Sequence, residues 1–164
     1  MNAVTFRPYG ESDRELTLAL EADPVVKQDL GGPVGPAEAE LIHDDRLARM
    51  AGGELFYTVA DGPAKVGIAA VFRTPWAGGV IHEAGVMLLP GRVGQGVGRE
   101  ALRLLGERAR DELGLVELHG FPAVTNAACN AICRRLGWAV REEVDLDYAG
   151  RPLRCNHWVL DLRS

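Results

Sequence analysis

No stretch of this chain is apolar for long enough to cross a membrane as a helix, which takes about 20 residues. The N-terminal run MNAVTFRPYGESDREL lacks the basic start and apolar core of a secretory leader, so a cytoplasmic location is expected. Positive charge is also short. The net charge is -5, which removes the basic surface that a nucleic-acid partner requires. Only Lys27 and Lys65 are lysines, and with abundant Ala, Gly and Arg this reads as genomic composition rather than a functional trait. Cysteine is scarce too. Cys129, Cys133 and Cys155 form an odd set, expected as reduced thiols, which excludes a disulfide framework. Repeats, low-complexity tracts and linkers are missing, so residues 1–164 are expected to form one domain.

What is present is patterned. AVTFRPY alternates and predicts a strand. ESDRELTLALEADP reads as a helix, with Ser12 as N-cap, Glu15 completing a capping box, and Pro24 setting its end near Asp23. The loop VVKQDLGGPVG leads to a second helix opened by Pro36. Three strands follow, ELFYTVAD, KVGIAAVFRT and GVIHEAGVMLL, separated at Gly62 and Pro63 and at PWAGG. QGVGREALRLLGERARDELG carries Val97, Ala101, Leu102, Leu104, Leu105 and Ala109, which predicts an amphipathic helix that ends near Gly114. LVELHGF reads as a short strand and NAACNAICRRLG as a short helix closed by Gly137. WAVREEVDLDY and LRCNHWVLDL are two last strands about Gly150. This order predicts an α/β (α+β) fold with a mixed sheet of about seven strands.

Four glycines crowd GRVGQGVGREAL, between a strand ending at Leu89 and a helix beginning near Gly96. Helix N-termini present unpaired N–H groups and a positive dipole end, and glycine lets an anion approach them. A plain strand-to-helix turn is the alternative. A nucleotide P-loop is excluded because Arg99 and Glu100, not Lys and Ser or Thr, follow Gly98. A dinucleotide fingerprint is excluded by the spacing Gly94-x-Gly96-x-Gly98 and its place deep in the chain.

HEAGVMLLPGRVGQGVGREAL resembles the acyl-CoA motif of the GCN5-related N-acetyltransferases (GNAT): a strand with a central Glu, a Pro, a Gly-rich loop and a helix. Where that family carries Arg or Gln, three before Gly96, this chain has Val93, with Arg92 and Gln95 beside it. NAACNAICRRLGW resembles the family's second segment, with Asn126, Leu136, Gly137 and Trp138 at its intervals. LHGFPAVTNAACNAICRRLGW is most similar to the ribosomal-protein-alanine-acetyltransferase-like branch.

The resemblance implies an acyl-CoA N-acyltransferase fold with helices on both faces of the sheet and a V-shaped opening between VMLL and LVELHGF. Acetyl-CoA would be the co-substrate, with no metal. Its pantetheine amides would pair with backbone groups around Met87, Leu88 and Leu89. Its pyrophosphate would sit on the N–H groups of Gly94, Gln95, Gly96, Val97, Gly98 and Arg99, while Asn126 holds the pantetheine arm. The acceptor would be a small-molecule amine or a peptide N-terminus, and a homodimer is left open.

Glu83 is the candidate general base, acting through water. Alternation places it with Ile81, Gly85 and Met87 and turns His82 away, and apolar neighbours should raise its pKa. Many relatives carry a Tyr acid seven residues after the Asn; here that position is Cys133, either an acid or a core cysteine. Tyr148 lies too far along the chain to assign. Cys129, Cys133, Cys155 and His157 match no common zinc spacing. Trp76 and Trp158 are candidate walls of the acceptor site, with core or interface packing as the alternative. The alternative function is a CoA-binding module that has lost catalysis, favoured by Val93 and the missing Tyr and opposed by Glu83 and Asn126.

Overall fold

The computed structural model describes residues 3–148 and 150–163. Seven strands form one sheet: β1 (Val4–Pro8), β2 (Leu55–Asp61), β3 (Ala64–Trp76), β4 (Gly79–Leu88), β5 (Glu117–Gly120), β6 (Ala139–Tyr148) and β7 (Arg151–Asp161). Their spatial order is β1-β2-β3-β4-β5-β7-β6. Every neighbouring pair is antiparallel except β4 and β5, which the crossover helix α3 (Val97–Leu113) makes parallel. Helices α1 (Arg14–Ala22) and α2 (Pro36–Ala51) precede β2, and α4 (Ala127–Arg135) joins β5 to β6.

The period of each element decides the two cores. Val97, Ala101, Leu102, Leu105 and Ala109 of α3 meet Val71, Leu118 and Trp158 of the sheet on one face. On the other face Leu16 and Leu20 of α1, with Leu47 and Met50 of α2, cover Phe56, Ile68 and Ala70. The helices therefore lie on both faces. Ala84, Val86 and Leu88 of β4 pack into the α3 core, whereas Met87 packs into the α1–α2 core, so Glu83 and Gly85 also face α1 and α2.

The first helix starts later than its capping box predicts. Glu11–Asp13 form a 3₁₀ turn, and Asp13 rather than Ser12 stands at the N-cap position of α1, its Oδ2 closing the turn by accepting the Gly10 N–H at 2.9 Å. Asp13 is buried and ion-paired with Lys65 at 2.8 Å, an anchorage the exposed Ser12 lacks. A buried polar cluster then ties the two helices together: Arg46 of α2 donates to Thr17 Oγ1 (2.7 Å) and to Glu21 Oε2 (3.1 Å) of α1.

Candidate active site

β4 and β5 separate almost as soon as they meet. Their pairing centres on Glu83 and His119; beyond it β4 runs on to Leu88 while β5 stops at Gly120. The Leu89 N–H bonds the Val66 carbonyl at 2.9 Å, so by alternation the peptide groups of Leu88 and Val86 turn away from β3 into the opening. The opening depends on Gly67, opposite Leu88: a Cβ there would collide with the Met87 carbonyl oxygen. Glycine lets the end of β4 sit close against β3.

At the foot of the opening stands the glycine loop. Gly96 caps α3 with φ +81°, a left-handed conformation that glycine adopts without strain. The first bond to that cap runs from the Glu100 N–H to the Gly96 carbonyl (3.1 Å), so the N–H groups of Val97, Gly98 and Arg99 have no helical acceptor. No atom lies within 4 Å of where a Cβ would stand on Gly94 or Gly96, so the loop borders open space. At Gly98 the same test meets Ile132 and Leu88, each at 3.5 Å, which brings α3, α4 and the end of β4 to one point. Arg92 is not free to replace the family's Arg or Gln. Its Nη1 is bound to Asp61 of β2 at 3.0 Å and anchors the loop instead. Gln95 folds back onto the Gly91 carbonyl (3.1 Å), and Asn126 caps α4, its Oδ1 accepting the Cys129 N–H (3.1 Å).

Glu83 stands where the strands part. Thr74 Oγ1 donates to its Oε1 at 2.9 Å. Burial pushes its carboxyl up to about 7, against the opposing pull of that hydrogen bond and of Arg49. Such a carboxylate takes a proton from a reactant at neutral pH far better than an exposed glutamate would.

Residues 3–139 match the family model for the acetyltransferase (GNAT) domain. The chain belongs to the GNAT acetyltransferases. Solved structures share its fold from end to end. One is yncA of Salmonella typhimurium holding acetyl-CoA (21% identity, TM-score 0.80, 99% of this chain and 96% of that one). Another is the spermidine N-acetyltransferase of Vibrio cholerae with CoA and spermine (15%, 0.81, 97% and 95%). A third is the ribosomal-protein-alanine N-acetyltransferase of Brucella melitensis (24%, 0.79, 96% and 99%). No curated protein sequence matches the chain.

Within this GNAT fold several side chains fall outside the places the sequence suggests. Trp158 is not a wall of the acceptor site. It is buried in the α3 core, and its Nε1 donates to Asn130 Oδ1 at 2.8 Å, because alternation along β7 turns it away from Glu83. Cys133, by contrast, takes the core reading that the sequence offered: it is 2% exposed, and its hydrogen bond with Cys129 and burial push its thiol up. Among the described residues no group of His, Cys, Asp or Glu could hold a metal ion, and a helix able to cross a membrane is likewise missing among them.

Two residues that the sequence left without a place near Glu83 come close to it. Tyr148 and Cys155 come from the β6–β7 hairpin and share the sheet face of Glu83. Burial raises both, and the nearby Glu83 charge raises them further, the Cys155 thiol to about 11. Alternation along β6 and β7 gives their face, but nothing local brings that hairpin beside β4.

Proposed function

We propose that this GNAT protein transfers an acetyl group from acetyl-CoA to a primary amine in a ternary complex, with Glu83 as general base. The observation that carries the reading is a carboxyl group of raised pKa where β4 and β5 part, above the unpaired N–H groups of α3. The pyrophosphate of CoA fits the open space over Gly94, Gln95, Gly96, Val97, Gly98 and Arg99. The pantetheine arm lies along β4, where Leu88 and Val86 offer free peptide groups and the Asn126 amide remains able to donate. Met87 and Leu89 hold the strand in place for it, their peptide groups directed to β3.

An alkylammonium has a pKa of about 10 and must lose a proton before it can attack. Glu83, half ionised near neutrality, takes that proton through a water. The amine nitrogen bonds to the thioester carbon, the C–S bond breaks, and CoA departs as thiolate. The Leu88 N–H stabilises the negative charge that develops on the carbonyl oxygen. A thiolate is a good leaving group, so the loss of an acid at Cys133 does not block the step.

The acceptor class is a small amine or a peptide N-terminus. The Vibrio neighbour is a spermidine acetyltransferase and the Brucella neighbour a ribosomal-protein-alanine acetyltransferase, both acting on amino groups. Calorimetry with acetyl-CoA is the test, repeated on Gly96→Glu, which puts a carboxylate where the pyrophosphate sits. Binding by the wild type and its loss in the variant support the reading, and no binding by the wild type overturns it. Binding without turnover on any amine supports the inactive CoA-binding module instead.

A further inference from the structure

The turn that ends α2 brings a charged pair beside Glu83. Gly53 takes φ +100°, a conformation that glycine adopts without strain, and the Glu54 N–H then bonds the Arg49 carbonyl at 3.1 Å. The side chains meet as well. Arg49 Nε donates to Glu54 Oε1 and Arg49 Nη2 to Glu54 Oε2, each at 2.8 Å. Two parallel bonds fix a guanidinium in direction as well as in distance. Nη2 also donates to the Arg73 carbonyl at 3.4 Å, and Nη1 stands 3.9 Å from the exposed Asp45. Glu54 is buried, and its Oε2 accepts the Arg73 N–H at 2.6 Å. Burial opposes its charge, but the bonds from Arg49 and Arg73 outweigh it and hold the carboxyl below its usual range. Both partners therefore stay charged at neutral pH.

One aromatic ring separates this pair from Glu83. The Arg49 guanidinium lies over Phe72, 5.3 Å from the ring centroid, and over Phe56 at 5.9 Å. Phe72 is the register partner of Glu83 across β3 and β4, so the two side chains stand side by side on one face. Gly85, next on that face, leaves room. Apart from its own chain neighbours, only a Phe72 ring carbon, at 3.4 Å, comes within 4 Å of where a Cβ would stand. Thr74 is bonded to Glu83 Oε1, and among the described residues the other carboxylate oxygen has no hydrogen-bond partner.

Other titratable groups face the same side of the sheet. From α1 and α2, Arg46 is bound to Thr17 and Glu21, and Lys27 to Glu21 at 2.8 Å. In the segment between those helices Asp29 accepts from Thr125 Oγ1 at 2.7 Å. From β5, His119 is bound to His157 of β7 at 2.9 Å, and burial pushes both imidazoles down. Glu117 lies 3.5 Å from His119 and Glu142 3.8 Å from His157. From the β6–β7 hairpin, burial and the Glu83 charge push Tyr148 and Cys155 up. Arg151 packs on Gly32, where a Cβ would stand 3.0 Å from its Nη1. Among the described residues, Arg49 is the cation whose charge reaches Glu83.

We infer that Glu54 is a positioning residue for the proton transfer: it holds the Arg49 guanidinium over Phe72 and away from Glu83, which keeps one carboxylate oxygen unpaired for the amine. The inference rests on the acetyl transfer proposed above. Released from Glu54, the guanidinium would find a carboxylate one ring away. An ion pair there would keep Glu83 ionised but occupied, a weaker proton acceptor. Asp45 is exposed and competes weakly for the same cation.

The test compares wild type with Glu54→Gln, whose side-chain oxygen can still accept the Arg73 N–H but whose charge is gone. One readout is the pH profile of kcat/KM with acetyl-CoA and whichever of 2-phenylethylamine, spermidine or an alanine-terminated peptide is turned over. The other is the titration of the Glu83 carboxyl itself, by carbon NMR of protein labelled at its glutamate carboxyls. Loss of the resonance in Glu83→Gln assigns it. In Glu54→Gln both midpoints should move to lower pH by about one pH unit or more, and the plateau rate should fall. In the double variant Arg49→Met/Glu54→Gln, which has no guanidinium to release, the midpoints should return to the wild-type value or rise above it. Should Glu54→Gln lose its cooperative melting transition, Glu54→Asp, too short for both bonds, replaces it and should move the midpoints the same way. Unmoved midpoints, or a shift that persists in the double variant, would mean that Glu54 only braces the turn after α2. That overturns the inference and leaves acetyl transfer standing wherever an amine is turned over. A shifted NMR midpoint in a protein that turns over no amine overturns acetyl transfer and leaves the placing of Arg49 by Glu54 intact.

Discussion

In the proposed reaction, the proton transfer rests on one side chain, Glu83. Its carboxyl titrates at about 7 because burial disfavours the charged form more than Thr74 and Arg49 favour it. Only the ionised form accepts a proton, so kcat/KM should rise with pH through about 7 and then level off. Glu83→Gln should lower the rate about a hundredfold and remove that inflection, as a pH–rate profile would report. Stability should move the opposite way. A carboxyl raised above its unfolded value of 4.5 costs the fold nothing below that pH, progressively more above it, and the full amount beyond pH 7. Glu83→Gln should therefore be the more stable protein at pH 8, by on the order of 3 kcal/mol, with the gap closing near pH 4. Urea titrations at the two pH values decide this; equal stabilities at pH 8 would mean that Glu83 is not strained by its surroundings.

At the scale of elements, the site depends on how β4 ends. Gly67 lets β3 approach the Met87 carbonyl, and Gly96 turns the chain into α3 with its N–H groups open. Gly67→Ala should destabilise the fold by about 1–3 kcal/mol and weaken acetyl-CoA binding together, because relief of the clash displaces Met87 and Leu88. A variant with lowered stability and unchanged binding would separate the two effects. The α4 element is held from within by Asn130, which donates to the Ala123 carbonyl (3.0 Å) and accepts from Trp158 (2.8 Å). That single amide ties α4 to β7 and to the turn after β5, so the helix beside the opening moves only with the strands.

Across the whole molecule the sheet is two wings, β1 to β4 and β5 to β7, whose strands meet at Glu83 and His119 and then part. α3 packs beneath both, and the segment between α1 and α2 reaches across above them. A ligand laid between the wings binds the folded chain alone. Acetyl-CoA at a hundredfold excess over its Kd should stabilise the protein by about 2.7 kcal/mol, several degrees in Tm. Amide exchange should slow most in β5 and in Val97–Arg99. A rise in Tm without protection at those amides would place the ligand elsewhere.

The sequence by itself determined the elements and their order, because side-chain period, Pro36, Gly114 and Gly137 act over a few residues. It also determined the glycine loop and the face of Glu83, since a loop's backbone freedom and a strand's alternation are local properties. Period says which way a side chain points and not what stands opposite. Only the tertiary structure could turn Trp158 inward and tie Arg92 to Asp61. Tyr148 and Cys155 come within the field of Glu83 through a hairpin more than sixty residues further along the chain. The carboxyl itself was legible; the burial that raises it to about 7 is a sum over neighbours, which exists only once the sheet has closed around it.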